Sequence, residues 1–282
     1  MKAVQLYKKL ENDFITPEMS DDWIRYMDPI TDFLCDNFRN RSIGLMCDFA
    51  TEINKAYTAV FPSVRVMKSI LDDGIHDAMF FVHHPSIWDI RKAPEVFQLM
   101  DRELLQQFRK RRISIYNLHV PLDNYGPHST SVTLAKTLGL KPEKAFALYF
   151  GSMAGVFGKT DFVSVQVLKS EFEKIVNHRV SLYQYGDSEI KDGIVAVVAG
   201  GGLDETIEEI AQNEVNVLVT GITAQTEYTI KAHEFAEKQG INILGGTHYS
   251  TEKFACKSMV RYFTEIGLLS YFIEDEPVLE DM

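Results

Sequence analysis

A chain of 282 residues with 45% apolar and 24% charged side chains has room for one large or two modest domains, and its composition is that of a soluble globular protein. Its net charge of −11 argues against nucleic acid as a partner, since neutralising phosphates takes a clustered positive surface. No apolar stretch approaches the roughly 18 residues of a membrane span, Lys2, Lys8 and Lys9 interrupt any secretion signal, and Cys35, Cys47 and Cys256 form no CxxC, so the expectation is a cytoplasmic protein with reduced thiols and no membrane partner.

Residues 1–40 read as a polar, helical N-terminal extension, closed by the loop Asn37-Phe38-Arg39-Asn40-Arg41. Strands and helices then alternate. An apolar run covers 42–47, and a helix is expected over 64–71, stopping at Asp72-Asp73-Gly74. The strand 78–82 leads into His83-His84-Pro85. Pro94 is expected to open a helix running to about Phe108, with Val96, Phe97, Met100, Leu104 and Leu105 on one face and the basic run Arg109-Lys110-Arg111-Arg112 complementing its dipole. The strand 113–118 delivers His119, and Ser129 or Thr130 caps a helix that stops at Gly139.

A second series begins near Lys144. Strands over 145–150 and 153–157 turn back on each other at Gly151, and a strand and short helix share 162–176. The run 194–199 ends in Gly200-Gly201-Gly202. Helices are expected over 203–212, 226–238 and 251–266, strands over 215–219, 241–244 and 270–273. This pattern predicts an α/β fold of two domains with mixed, mainly parallel sheets, at 41–140 and 141–282, with the last helix and strand free to pack back on the first domain.

Three strand ends carry metal-ligand side chains: His83-His84-Pro85, then His119 with Asp123, then His248 with Glu252. Loops leaving the carboxyl ends of parallel strands meet in one crevice, so six imidazoles and carboxylates can converge there. These are donors that zinc, manganese and iron accept. Each cluster alone also reads as ordinary loop chemistry: a turn-capping aspartate, or a glutamate complementing a helix dipole. Coincidence at three strand ends favours the metal. Gly200-Gly201-Gly202 matches neither GxGxxG nor the Walker pattern, and Asp204-Glu205 would repel phosphate, so a tight turn beside the metal pocket is the better role. His76, His128, His178 and His233 have no motif, though His128 lies near the second cluster. Cys256 reads as a packing residue.

In this order the clusters resemble the Nif-three-like family, whose members are termed GTP cyclohydrolase I type 2 homologs. That family carries His-His-Pro at a strand end, His-xxx-Asp some way on and His-xxx-Glu near the C-terminus. The stretch from His119 to Leu138-Gly139-Leu140 and the glycines 200–202 are similar to it too. The resemblance implies two α/β domains sharing a central dinuclear metal site, in a ring-like homohexamer. By motif match His83, His84, Asp123, His248 and Glu252 would be ligands of two divalent ions (zinc, manganese, iron or similar), with His119 a ligand or just behind one. The family often has an acidic residue and a histidine after Thr220-Gly221, where this chain has Ile222-Thr223-Ala224-Gln225, and residues 1–40 have no family counterpart placeable from sequence. Room for a large central insertion is lacking, which makes this the short form.

The expected function is a metal-dependent hydrolase acting on a small molecule, a nucleotide by resemblance, because paired cations can lower the pKa of a shared water and clamp the attacked group. Glu252 and His119 are the candidate catalytic side chains, and Tyr249 is a second candidate proton carrier. A non-catalytic metal-binding or partner-binding scaffold is the rival. Tyr262, Phe263, Tyr271 and Phe272 give the homo-oligomer its only support from the residues themselves.

Overall fold

The computed structural model describes residues 1–282, and the chain divides into two compact units. The first holds Met1–Leu122, Phe150–Ser152 and Cys256–Glu276, the second Asp123–Tyr149, Met153–Ala255 and Pro277–Met282. Both are α/β with mixed sheets, as the alternation of strands and helices implies. No helix is long and apolar enough to cross a membrane.

The first unit is built on a five-stranded sheet in the order Gly44–Cys47, Ile113–Asn117, Ala78–Val82, Lys55–Ala59, Leu269–Phe272. All neighbours pair in parallel except Gly44–Cys47, which is antiparallel to Ile113–Asn117. Ala78–Val82 is buried at every residue, as a central parallel strand covered on both faces must be. Ile113–Asn117 buries a serine in this environment, and Ser114 is satisfied there: its hydroxyl accepts the amides of Phe49 and Ala50 at 2.9 Å each. The N-terminal segment joins the same core. Trp23, Met27, Ile30, Phe33 and Phe38 pack in one cluster with Met67, Leu104 and Phe108.

Two local expectations differ here. The helix placed from Pro94 begins at Arg102, because the Asp101 carboxylate accepts the amides of Glu103 and Leu104 and so sets the start. Phe97 instead lies in a short strand paired with Ile87–Trp88. The strand Lys55–Ala59 was not foreseen: its residues are small or polar apart from Tyr57, yet it buries Ala56 to Ala59, and Thr58 is satisfied by donating to the Cys256 carbonyl at 2.9 Å.

The second unit has a six-stranded sheet in the order Lys141–Tyr149, Ser152–Lys159, Ile194–Val198, Val217–Thr220, Asn242–Gly245, Ser181–Tyr183. Its central three strands are parallel, joined by the helices Leu203–Gln212 and Ile230–Gln239 as crossovers. The strands on either side of this trio pair antiparallel to it. Side chains alternate between two apolar layers: Val195 and Val197 enter one, Ala196 and Val198 the other. The helix expected from Thr226 begins at Ile230, since Thr229 folds the preceding turn through bonds to the Thr226 amide and the Ala224 carbonyl.

The last long helix runs His248–Glu265, three residues earlier than its apolar pattern suggested. A reciprocal pair explains the shift. The Thr247 amide donates to Ser250 Oγ at 2.9 Å and the Ser250 amide to Thr247 Oγ1 at 3.1 Å, a capping box that puts the boundary at Thr247.

Candidate metal centre

In the first unit the ladder between Lys55–Ala59 and Ala78–Val82 continues past the strand ends. The His83 amide donates to the Ala59 carbonyl at 3.1 Å and the His84 amide to Val60 at 2.9 Å, so both histidines leave the sheet on a held backbone. His83 is fully buried, with Nδ1 2.9 Å from the Leu118 carbonyl. A carbonyl only accepts, so Nδ1 carries the proton and Nε2 the lone pair. His84 stacks on Phe61 with ring centroids 4.8 Å apart. His119, one strand over, lies with its ring 5.3 Å from that of His83 and 4.6 Å from that of His84. One nitrogen from each ring can be chosen so that all three lie within 4.8 Å of one another, the spacing of ligands about a common ion.

His119 is met by two side chains of the N-terminal segment. Its Nδ1 lies 2.7 Å from Asp21 Oδ2 and 3.2 Å from Trp23 Nε1, and the indole meets the imidazole edge-on at 5.4 Å. Neither Asp21 nor Trp23 carried a signal in sequence, since both lie in the N-terminal segment, far along the chain from the histidine they touch.

In the second unit His248 and Glu252 are one helical turn apart on the same face, His248 Nε2 lying 3.2 Å from Glu252 Oε1. The sequence placed His248 in the preceding turn; the capping box draws it into the helix. Its amide donates to Asp281 Oδ2 at 2.9 Å, and the Asp281 carbonyl accepts the amides of Thr223 and Ala224, so the C-terminal residues tie the helix start to the Thr223 loop. Asp123 is buried, and Thr130 Oγ1 donates to its Oδ1 at 2.7 Å. Gly200, in the left-handed region at φ 76°, donates its amide to Thr251 Oγ1 at 2.9 Å. It lies against Glu252 and His248, so the glycine run serves close approach of backbone to these two side chains.

The remaining candidates belong to none of these groups of possible ligands. His233 is buried with both nitrogens engaged, Nδ1 2.9 Å from the Tyr185 hydroxyl and Nε2 3.0 Å from the Thr223 carbonyl. His178 Nδ1 lies 2.7 Å from the Arg179 carbonyl, His76 is exposed and His128 half-buried. Tyr249 is buried. Cys256 Sγ contacts the Ala59 carbonyl at 3.3 Å, a packing role.

Donor chemistry in both units suits a borderline divalent cation: imidazole nitrogens and carboxylate oxygens, all buried, with no thiolate among them. A side chain at position 200 would run into the Glu252 carboxylate and the His248 ring, so glycine there lets both candidate donors keep their places.

A family model described as Duf34/NIF3 (NGG1p interacting factor 3) matches residues 24–276. The match starts inside the N-terminal segment for which sequence reading found no counterpart. A GTP cyclohydrolase 1 type 2 homolog of Pyrococcus horikoshii is 29% identical over 259 residues, covering 88% of this chain and 97% of that protein. One of Vibrio cholerae is 24% identical over 285 residues, covering 99% and 100%. Among solved structures, one described as "Structural genomics, protein ybgI, unknown function" aligns with a TM-score of 0.74 at 21% identity over 99% of this chain and 100% of that one. At that identity the likeness shows the fold.

Proposed function

Since the chain belongs to the Duf34/NIF3 family, we propose that it is a dinuclear metal protein and a metal-dependent hydrolase of a small molecule, with a nucleotide as the narrower substrate class suggested by the name its relatives carry. In this reading His83, His84, Asp123, His248 and Glu252 are the ligands, and His119 is a ligand or stands directly behind one. The observation that carries it is the buried cluster of three imidazoles whose nitrogens fall within 4.8 Å of one another.

Divalent ions at such a centre supply Lewis acidity, polarising a substrate oxygen and raising the acidity of water. The protein's own groups do the rest. The His83 ring is held by the Leu118 carbonyl and cannot rotate its lone pair away, which is the preorganisation that metal ligands need. Glu252 and His119 are the side chains assigned to proton movement at the substrate. Trp23 and Phe61 wall the histidines with apolar rings and limit water around them.

The test is purified protein, with its metal content measured, assayed with manganese, zinc and iron against nucleotides and simple esters. Turnover that needs both metal and Glu252 is expected. Stoichiometric metal with no turnover on any substrate would overturn the hydrolase assignment and leave a metal-binding scaffold.

We propose further that the protein is a homo-oligomer, a hexamer as the family resemblance implies. Of the aromatics that suggested an interface, Tyr262 and Phe263 are core residues of the first unit, where Phe263 packs edge-on against Phe81 and Tyr262 donates to Asp13 at 2.7 Å. Tyr271 remains exposed, as does the cluster Leu148, Tyr149 and Phe150 at a hairpin tip.

A further inference from the structure

We propose that Asp21 is a positioning residue for His119, holding the proton on Nδ1 so that Nε2 is the ring's electron-pair donor beside His83 and His84. The inference rests on reading His119 as part of the metal centre.

His119 Nδ1 has two neighbours with opposite demands. Asp21 Oδ2, at 2.7 Å, accepts and requires a proton on the nitrogen; Trp23 Nε1, at 3.2 Å, only donates and requires a lone pair there. A ring nitrogen has one in-plane direction and cannot serve both. The Asp21 side chain is 3% exposed, so its charge has little water to lean on. A charge-assisted bond is roughly twice as strong as a neutral one. The other tautomer would set a nitrogen lone pair against a buried carboxylate, which costs more than leaving the indole N–H at a long contact. Asp21 therefore wins, and Trp23 acts as an edge-on wall.

The adjacent histidine shows the same arrangement independently. His83 has Nδ1 against an obligate acceptor, the Leu118 carbonyl at 2.9 Å, which leaves Nε2 as its donor. Two rings 5.3 Å apart thus have their outer nitrogens capped by acceptors, one from backbone and one from a carboxylate brought in by the N-terminal segment. Outer partners of this kind orient a ligating imidazole and raise its basicity, and their loss typically costs about 10–100-fold in metal affinity.

The experiment uses full-length protein stripped of metal, in a Trp88→Phe background so that Trp23 is the only indole, with Mn²⁺ and Zn²⁺ added back and binding followed by Trp23 fluorescence and calorimetry. Asp21→Ala and Asp21→Asn should each weaken binding by about 10–100-fold. Trp23→Phe, followed by calorimetry alone, keeps an apolar ring against His119 and removes only the indole N–H, so its loss of affinity should be smaller than that of either Asp21 variant. Asn keeps the carboxylate's shape, so a loss in Asp21→Asn reports charge rather than packing. In parallel, NMR of metal-free protein with isotope-labelled histidine should find His119 as the Nδ1–H tautomer, shifting toward Nε2–H in Asp21→Ala. Parent-like affinity in both Asp21 variants, or a loss confined to Trp23→Phe, overturns the proposal while leaving the metal centre intact. If the parent takes up no metal, the functional reading falls, and the tautomer alone decides the role of Asp21: an Nε2–H ring overturns it.

Discussion

A Cβ on Gly200 would lie 2.2 Å from Glu252 Oε1 and 3.2 Å from His248 Nε2, so these two side chains occupy the space that any other residue at position 200 would need. The glycine is also at φ 76°, where an L-residue costs roughly 1–2 kcal/mol. Gly200→Ala should therefore lower stability by about that amount. It should also push the Glu252 carboxylate aside, because the tip of that side chain yields more readily than backbone. Thermal unfolding and metal analysis of the same preparation check both effects. Unchanged metal content would mean that Glu252 is not a ligand.

His84→Ala and Glu252→Ala should each lower metal content while leaving far-UV circular dichroism unchanged. The side chains project from elements whose cores lie elsewhere, so bound metal stabilises the native state mainly by mass action. Elemental analysis of both variants tests the ligand set, and full occupancy in both would show it to be wrong.

Phe38 is fully buried among Trp23, Phe33 and Met46 in the core of the first unit. Phe38→Ala should destabilise by about 3–5 kcal/mol, the usual cost of truncating a buried aromatic. Chemical denaturation measures this directly. A loss below about 1 kcal/mol would make the N-terminal segment an accessory layer rather than part of the core.

Burial pushes the His233 imidazole below the ordinary histidine value of 6.5, and its bond to the Thr223 carbonyl offsets that only in part. The native state then holds fewer protons than the unfolded chain below pH 6.5, so stability present above that value is lost as pH falls through it toward the lower folded value. Melting curves at about pH 7.5 and about pH 5.5 should differ more for the parent than for His233→Gln. Equal differences would assign the acid sensitivity to other groups.

Light scattering across a wide concentration range should return a homo-oligomer, with a hexamer expected. Charged replacements at Leu148 and Phe150, which are 76% and 42% exposed, test whether the hairpin tip is part of the interface. A monomer at every concentration would defeat the assembly, and wild-type assembly in the charged variants would exclude the tip.

Much of this fold is written in local pattern. Ala78–Val82 and Ile194–Val198 are continuous apolar runs because each is covered on both faces, and such runs are visible without knowing what covers them. The histidines and carboxylates past Ala78–Val82, Ile113–Asn117 and Asn242–Gly245 were legible in a similar way, since a strand end fixes where a polar side chain leaves the sheet. Lys55–Ala59 was not legible. Its small and polar residues are buried by neighbours, and only the tertiary partner of Thr58 makes that tolerable.

The start of the last helix shows where the boundary falls. Thr247 and Ser250 stand at capping-box spacing in the sequence, but Ser250 and Thr251 offer equally good helix starts on composition, and the mutual bonds between Thr247 and Ser250 select one. The contact between Asp21 and His119 had no local sign at all. Periodicity and turn chemistry report on residues a few positions apart. Which carboxylate meets which imidazole across 98 positions depends on how the N-terminal segment packs into the first core, and that is decided by the burial of Trp23 and its neighbours. The sequence alone therefore determined the elements, the donor types and their placement at strand ends. The tertiary structure decided which nitrogen each ring presents, because a tautomer is set by the partner that packing brings to the opposite side.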